Sequence, residues 1–266
     1  MPLDTSTYTL ALLRLDGRRW NELRRMTGQI STQSAAGADG SSFLSIGNTS
    51  VLCTVNGPAE IRNRNAANAA GLTTGGDDEA SVSVEISVAG FSGVDRKKRG
   101  GDRRVLEMQS TLSSAFQTHL FTHLYPRSTI SITLHVLAQD GALLATCINA
   151  ATLALVDAGI PMPEYLVACT AGVTLDSVSE LRSGEEESGD PLLDLNGQEE
   201  MELPFLTAAT VGSSDMISVL VCESRCRVER VEGMLAVAVD GCKQVKEILD
   251  GVVRERGGKI LQGMGG

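Results

Sequence analysis

Hydrophobic and polar positions alternate, or β-branched residues cluster, in several short segments of the chain. A period of two places one face of a strand against a core, so each of these segments is predicted to be a β-strand. The predicted strands span Ser42–Ile46, Ser50–Asn56, Ala80–Val88, Thr129–Leu137, Tyr165–Thr174, Leu203–Val211 and Met216–Cys222.

Three other segments repeat their apolar residues at the helical spacing of three and four. The first follows Asp102, which is suited to cap a helix, and stops near Pro126. The second lies within Asp140–Met162, begins at a glycine turn and stops at Gly159, ahead of two prolines. The third is predicted over Val228–Arg256. The expected buried face of the first helix comprises Met108, Leu112, Ala115, Phe116 and Leu120.

The elements follow one another as strands, helix, strand, helix, and then strands and a helix again. This order predicts an α+β chain made of two similar halves. Two segments rich in Gly, Ser, Asn or charge are expected to be surface insertions, because they bury too little apolar surface to order themselves. The predicted bounds are 9–256 for a single domain, about 9–160 and 161–256 for its halves, 63–80 and 179–190 for the insertions, and 1–8 and 257–266 for flexible termini.

Bulk composition is that of a globular protein, with 42% hydrophobic and 21% charged residues in 266. No apolar run approaches the roughly 18 residues that a membrane span needs, and the N-terminal stretch does not resemble a secretion signal. The six cysteines are scattered and the three histidines lack a surrounding constellation of ligands. We therefore expect a soluble intracellular protein with buried free thiols, no cofactor and no metal.

The formal net charge of −10 would repel nucleic acid, but the charge is unevenly distributed. Six lysines and arginines fall within Asp95–Arg104, whereas acidic residues collect in Ser183–Asp190 and Asn196–Pro204. Such a separation allows one edge of an acidic protein to face RNA.

Five stretches of the chain form an ordered set of motifs. They are "LRLDGRRWNELR" (Leu13–Arg24), "ADGSSFLSIGNTSVLCTVNGP" (Ala38–Pro58), "GDRRVLEMQSTL" (Gly101–Leu112), "YPRSTISITLHVLAQDG" (Tyr125–Gly141) and "INAATLALVDAGIPM" (Ile148–Met162). In this order they resemble the RNase PH family, in the branch that forms the eukaryotic and archaeal exosome ring. The resemblance covers nearly the whole chain apart from the two insertions and the tail. Within that branch the chain resembles a eukaryotic, fungal-like ring subunit related to the archaeal catalytic one.

The resemblance implies the RNase PH fold, which is similar to ribosomal protein S5 domain 2 and has two β-β-α-β-α halves. Active members cleave the 3′-terminal phosphodiester of RNA with inorganic phosphate and release a nucleoside diphosphate. Six such folds form a ring, and single-stranded RNA is threaded through its channel. The implied partners are other RNase PH-type ring subunits in an obligate hetero-oligomer, cap subunits with RNA-binding folds, and a hydrolytic exoribonuclease.

The phosphate site of active relatives is not retained in this sequence. Where their glycine turn continues with a hydroxyl residue and an arginine, this chain has Ala142, Leu143 and Leu144. A shifted register brings in no other arginine, since the neighbouring ones in sequence are Arg127 and Arg182. Losing one donor to a transition-state anion costs about 3 to 4 kcal/mol, so phosphorolysis is expected to be absent. The leucines are instead predicted to pack the first helical turn.

Of the two aspartates that the resemblance implies, this chain retains one. Asp194 stands at the first position, and Glu200 replaces the second aspartate, which changes the geometry of any proton or metal site. A lone aspartate in a turn is more often a local cap, so Asp194 by itself carries little weight as a catalyst.

The arginines that the resemblance implies for RNA contact are present in this chain, unlike the residues of the phosphate site. Arg103 and Arg104 match arginines that grip the RNA backbone, and Arg62 and Arg64 fall in a loop that lines the channel constriction. A further basic run is either a solvated loop or a funnel for RNA phosphates. That run comprises Arg96, Lys97, Lys98 and Arg99.

Three functions compete at this point. The favoured one is a non-catalytic ring subunit that lines the channel and guides RNA 3′ ends to the hydrolytic nuclease, for rRNA maturation, mRNA turnover and RNA surveillance in nucleus, nucleolus and cytoplasm. The alternative is an active phosphorolytic 3′ to 5′ exoribonuclease with an altered phosphate site. A scaffold unrelated to RNA is disfavoured by the concentrated basic stretch.

Overall fold

The computed structural model describes residues 13–32, 37–60, 79–93, 102–174 and 190–264, within which nine strands form two sheets. The strands are β1 (Met26–Ile30), β2 (Gly40–Ile46), β3 (Thr49–Glu60), β4 (Ser81–Val88), β5 (Ser128–Ala138), β6 (Leu166–Val173), β7 (Pro191–Leu193), β8 (Phe205–Val211) and β9 (Ile217–Cys222). The helices are α1 (Arg103–His119), α2 (Leu143–Asp157), α3 (Gly197–Glu202) and α4 (Val228–Met264), with a 3₁₀ turn at Thr122–Leu124.

The first sheet has the strand order β1-β2-β3-β5-β4. Its neighbours are antiparallel except for β4 and β5, which run parallel because α1 carries the chain back between them. Asp102 caps α1 by accepting a hydrogen bond from the Arg104 backbone N–H. The apolar face of α1 then packs on β4, which covers this end of the sheet.

The second sheet is antiparallel throughout and has the order β7-β6-β8-β9. The long helix α4 packs on β6, β7 and β8 and also reaches β1 of the first sheet. Its buried stripe, which includes Met234, Ala238, Cys242, Val245 and Leu249, follows the helical period.

Helix α2 lies between the two sheets and is the centre of the core. It packs on β2 and β3 on one side and on β6 on the other, and every residue from Leu143 to Leu155 is buried. A helix that is apolar all round requires such a position. Contact with β2 is close at Gly40, where an added Cβ would lie 2.3 Å from the Ala154 carbonyl oxygen. The C-terminal part of α2 therefore lies directly against β2.

The predicted α+β architecture is confirmed, and each predicted strand and helix is present, with several corrected ends. α1 stops at His119 and not near Pro126, because Leu120 turns to an extended conformation before the 3₁₀ turn. α4 runs beyond the predicted end at Arg256 to Met264, so 257–264 are helical. Within the described part of the chain, no helix is both long and apolar enough to cross a membrane.

Three short elements were not predicted. β1 alternates half-buried and exposed residues around Gly28, so its apolar signal is weak. β7 has only three residues, and α3 has six that are mostly polar. α3 is instead specified by a capping box between Asn196 and Glu199, in which each side chain meets the backbone of the other.

Candidate functional site

An open cleft of about 900 Å³ lies where the glycine turn before α2 meets α3 and the loop between β9 and α4. Its lining carries charges of both signs together with apolar side chains such as Phe205 and Met201. The charged residues of the lining are Arg104, Asp140, Glu200, Glu202, Glu223, Arg225 and Arg230.

The start of α2 is the point at which an anion would be expected, because the first N–H groups of a helix lack intrahelical partners. Ala142 occupies the N-cap position in the left-handed conformation, with φ of 52°, and provides no side-chain cap. Its backbone N–H instead donates to Oε1 of Glu200 at 2.5 Å. The carboxylate of Glu200 therefore occupies the backbone N–H group that a bound phosphate would use.

Leu143 and Leu144, the next two residues, are 7% and 8% exposed and belong to the main hydrophobic core. Their side chains offer neither a donor nor a charge to the cleft. The first turn of α2 thus consists of packed apolar side chains, and its anion is supplied by Glu200 of α3.

Helix α3 is docked directly on the glycine turn, which fixes the position of Glu200. An added Cβ on Gly141, whose φ is +76°, would lie 2.6 Å from the backbone carbon of Asn196. The Asp140 carboxylate accepts from the Gly197 backbone N–H at 3.1 Å and from the Asn48 amide at 2.9 Å. Turn and helix therefore form one unit with no space between them for a ligand.

Burial raises the pKa of Glu200 above its usual value of 4.5. The hydrogen bond from Ala142 and the positive charges of Arg104 and Arg24 oppose this effect, while Asp194 adds to it. The folded protein therefore holds a proton on Glu200 more tightly than the unfolded chain does.

We expect Glu200→Gln to remove part of the pH dependence of stability. A raised pKa contributes stability that is complete below pH 4.5 and is lost as the pH rises through the folded-state pKa of Glu200. Glutamine keeps an acceptor for Ala142 but does not ionise, so its stability relative to the unsubstituted protein should increase across this window. Urea unfolding at a series of pH values measures the difference. Glu60→Gln, at an exposed position, should show no such trend, and parallel curves for all three proteins would refute the assignment.

Asp194 does not line the cleft but is buried in an ion pair. Its two carboxylate oxygens accept from Nε and Nη2 of Arg24 at 3.0 and 2.8 Å, and Oδ2 also accepts from the Arg24 backbone N–H. Asp194 itself has a positive φ of 52°. Both carboxylate oxygens of Asp194 are thus paired with Arg24, and the assignment of Asp194 as a remnant of the family's catalytic pair stays a prediction.

Two further arginines of the N-terminal segment hold the same loop. Arg14 donates from Nε to Glu199 at 2.9 Å and also bonds the backbone carbonyls of Leu193 and Asp194. Arg18 donates to the Asp194 carbonyl at 3.1 Å. We call Arg14, Arg18 and Arg24 the arginine clamp. It ties the segment before β1 to the loop that carries Asp194 and α3.

The two arginines at the start of α1 are placed differently from each other. Arg104 lines the cleft and faces Glu223 at 3.4 Å, with its side chain about half exposed. Arg103 is 89% exposed and pairs with Glu107 at 3.0 Å across one helical turn. Both remain accessible to an anionic polymer, because their pairs are exposed and therefore weak.

The other predicted RNA-contacting residues lie outside the described residues. These are Arg62 and Arg64 in the loop after β3, and Arg96, Lys97, Lys98 and Arg99 in the loop before α1.

Sequence reasoning missed the wall of the cleft formed by the loop between β9 and α4 and by the start of α4. The loop contributes Arg225 and α4 contributes Arg230, whose Nε atom is buried without a hydrogen-bond partner. The signal was the stretch "ESRCRVER" (Glu223–Arg230), in which arginines recur around a cysteine. The arginine clamp was also missed, although all three of its arginines lie within the first motif quoted above.

The fold and site define an α+β protein of two sheets. A glycine turn starts its central helix, and a backbone N–H of that turn donates to a carboxylate. Residues 22–161 match the model of the RNase PH family, described as the 3′ exoribonuclease family, domain 1. The chain belongs to the RNase PH family, which confirms the resemblance seen in its motifs.

The chain is similar to proteins named as exosome components over almost its full length. It is 38% identical over 244 residues to the exosome complex component ski6 of Schizosaccharomyces pombe, covering 91% of both chains. It is 36% identical over 254 residues to SKI6 of Saccharomyces cerevisiae, covering 95% of this chain and 94% of that protein. It is 38% identical over 254 residues to the human exosome complex component RRP41, covering 94% and 95%.

Among solved structures, the chain resembles that of rice Rrp46. The TM-score is 0.70 and the identity 24%, over 89% of this chain and 98% of that one. This likeness supports the RNase PH fold.

Proposed function

We propose that this chain is a non-catalytic ring subunit of an RNA exosome. In this role it lines the central channel and guides RNA 3′ ends to an associated hydrolytic nuclease. Three similar proteins are named as exosome complex components, and the alignments cover 91 to 95% of this chain. The proposal extends to assembly with other RNase PH-type subunits and cap subunits, and to a location in nucleus, nucleolus and cytoplasm.

The hydrogen bond from Ala142 to Glu200 carries the non-catalytic part of the proposal. Phosphorolysis must hold two anions, the attacking phosphate and the scissile phosphodiester, against their mutual repulsion. Glu200 is a third anion, and at the start of α2 it would compete with inorganic phosphate for the backbone N–H of Ala142. Neutralising Glu200 would remove that competition without supplying a cation or a hydroxyl donor.

The size of the missing contribution supports the same conclusion. Removing a single oxyanion donor costs about 3 to 4 kcal/mol of transition-state stabilisation, a factor of roughly 10² to 10³ in rate. Leu143 and Leu144 replace two donors and are buried in the core, so they cannot be exchanged for a ligand without unpacking the first turn of α2.

Retention of RNA contacts is supported by Arg104, which reaches the cleft from the start of α1. Arg225 and Arg230 add positive charge on the facing wall. A mixed surface of guanidinium groups and apolar side chains suits the backbone of single-stranded RNA.

A reconstituted ring that lacks its hydrolytic nuclease should release no nucleoside diphosphate from RNA and inorganic phosphate. The physical reason is the lost phosphate site at the start of α2. Product nucleotides are separated by chromatography, with an active RNase PH family member as positive control. A hydrolytic contaminant is recognised because it yields monophosphates without added phosphate.

One result would overturn the non-catalytic assignment. This result is phosphate-dependent diphosphate release that is abolished by Glu200→Gln in this chain, while the ring stays intact by gel filtration.

A further inference from the structure

Cys222 and Cys226 bring two thiols together at the rim of the cleft. Cys222 ends β9 and is exposed, whereas Cys226 lies in the loop before α4, is half-buried and lines the cleft. Their sulfur atoms are 3.8 Å apart. Both sulfurs also approach the carbonyl oxygen of Ser224, at 3.5 and 3.9 Å, so the loop turns around that carbonyl.

We propose that Cys222 and Cys226 are a redox modification site, at which a peroxide closes a reversible disulfide across the loop between β9 and α4. Only a small approach is required, since a disulfide bond is about 2.05 Å long and the sulfurs are already in contact. The site belongs to the loop itself and does not depend on the proposed exosome function.

The chemistry balances in two steps with hydrogen peroxide as the oxidant. The exposed Cys222 thiolate attacks the peroxide O–O bond, forms a sulfenic acid and releases one water after protonation. The Cys226 thiolate then attacks Sγ of Cys222, and the sulfenic hydroxyl leaves with a proton as a second water. Two thiols are oxidised, one peroxide is reduced, and a dithiol reductant reverses the reaction by exchange.

Exposure and proximity set the order of the two steps. Burial and the neighbouring Cys222 raise the pKa of Cys226, which lowers its thiolate fraction, although the positive charge of Arg230 opposes that rise. The exposed Cys222 therefore meets the oxidant first, and Cys226, whose sulfur is 3.8 Å away, resolves the sulfenic acid formed there.

The remaining four thiols are protected from this reaction. Cys53, Cys147, Cys169 and Cys242 are buried in the core. Burial raises the pKa of Cys147 to about 12 and that of Cys242 to about 11, which leaves almost no thiolate at neutral pH. Selective oxidation of one pair among six cysteines is thus expected.

Closing the disulfide would stiffen the loop that forms one wall of the cleft. The loop is already fixed at its middle, where the Ser224 hydroxyl accepts from the Phe205 backbone N–H at 3.0 Å. Glu223, on the neighbouring position, faces Arg104 at 3.4 Å. A second fixed point at Cys222 and Cys226 restricts the movement of Glu223 relative to Arg104.

Peptide mapping of the folded full chain tests this proposal. The protein is treated with an equimolar amount of hydrogen peroxide, free thiols are alkylated under denaturing conditions, and the chain is cut with trypsin. Cleavage after Arg225 and Arg227 separates the two cysteines. We expect a cross-linked pair of peptides, two hydrogens lighter than the sum of the free thiol peptides, that disappears with dithiothreitol. The four core cysteines should be recovered fully alkylated.

Two single variants provide the controls. In Cys226→Ser, Cys222 should accumulate as a sulfenic acid that dimedone traps, and in Cys222→Ser, Cys226 should remain alkylatable. The proposal is overturned if peroxide leaves both thiols free, links Cys222 to another chain, or oxidises the core cysteines equally fast.

Discussion

Arg24→Met is expected to lower the free energy of unfolding by about 3 to 5 kcal/mol, which is the usual effect of removing one partner of a buried ion pair. Arg24 supplies three of the hydrogen bonds to Asp194, two from its guanidinium group and one from its backbone. Methionine keeps the backbone donor and much of the volume, but it removes the nearest cation of a buried carboxylate. Arg18, whose Nη1 is 3.8 Å from the same carboxylate, keeps a longer ion pair with it.

Urea unfolding followed by circular dichroism measures this effect on the full chain. Arg103→Met is the matched control, because the Arg103 side chain is 89% exposed and its loss should change stability by no more than about 0.5 kcal/mol. The double variant Arg24→Met with Asp194→Asn should recover part of the loss, since asparagine is neutral and tolerates the positive φ of position 194. If Arg24→Met lowered the free energy of unfolding by less than about 1 kcal/mol, the ion pair between Arg24 and Asp194 would not be a main contribution to stability.

Much of the fold could be predicted from local patterns. α2 and α4 have apolar residues at helical spacing over many turns, and the longer strands alternate or are rich in β-branched residues. β1, β7 and α3 escaped because their stability comes from partners elsewhere in the chain. β1 is an edge strand that pairs only with β2 in its sheet and contacts α4, while α3 depends on a capping box and on its docking against Gly141.

In the candidate site, too, some features follow from residue type alone and others depend on partners distant in sequence. The absence of a donor at Leu143 and Leu144 could be recognised from residue type alone, because leucine offers no polar group in any fold. The partner of each remaining carboxylate could not be predicted. Glu200 meets Ala142 across 58 positions of sequence, and Asp194 meets Arg24 across 170. Residue spacing predicts one carboxylate pair, and in the fold each member has a different hydrogen-bond partner while Asp194 still raises the pKa of Glu200.

The two carboxylates have different structural partners. Asp194 is held by the arginine clamp, and Glu200 is held at the turn before α2. Together these contacts anchor the loop after β7 to both the N-terminal segment and the central helix. They hold α3 against the glycine turn along one side of the cleft, whether or not an anion binds there.

Arg103→Gln combined with Arg104→Gln should weaken the binding of single-stranded RNA by the assembled ring by more than tenfold at 0.1 M salt. Each phosphate contact on a single strand contributes about 0.7 to the slope of log affinity against log salt, so the loss of two lowers the slope by about 1.4. The contact from Arg104 is available because its pair with Glu223 is half exposed, and an RNA phosphate can displace that carboxylate.

Titrations of a labelled oligonucleotide at several salt concentrations give both the affinity and the slope. Arg254→Gln is the matched control, since it removes an exposed arginine of α4 that does not line the cleft. The length of RNA protected by the ring and the rate of the attached nuclease should fall together with the affinity in the double variant. An unchanged salt slope would contradict phosphate contacts at Arg103 and Arg104. A shortened protected fragment with normal ring assembly would instead place these two arginines on the path of the RNA, because glutamine retains the helix start while removing only the charge.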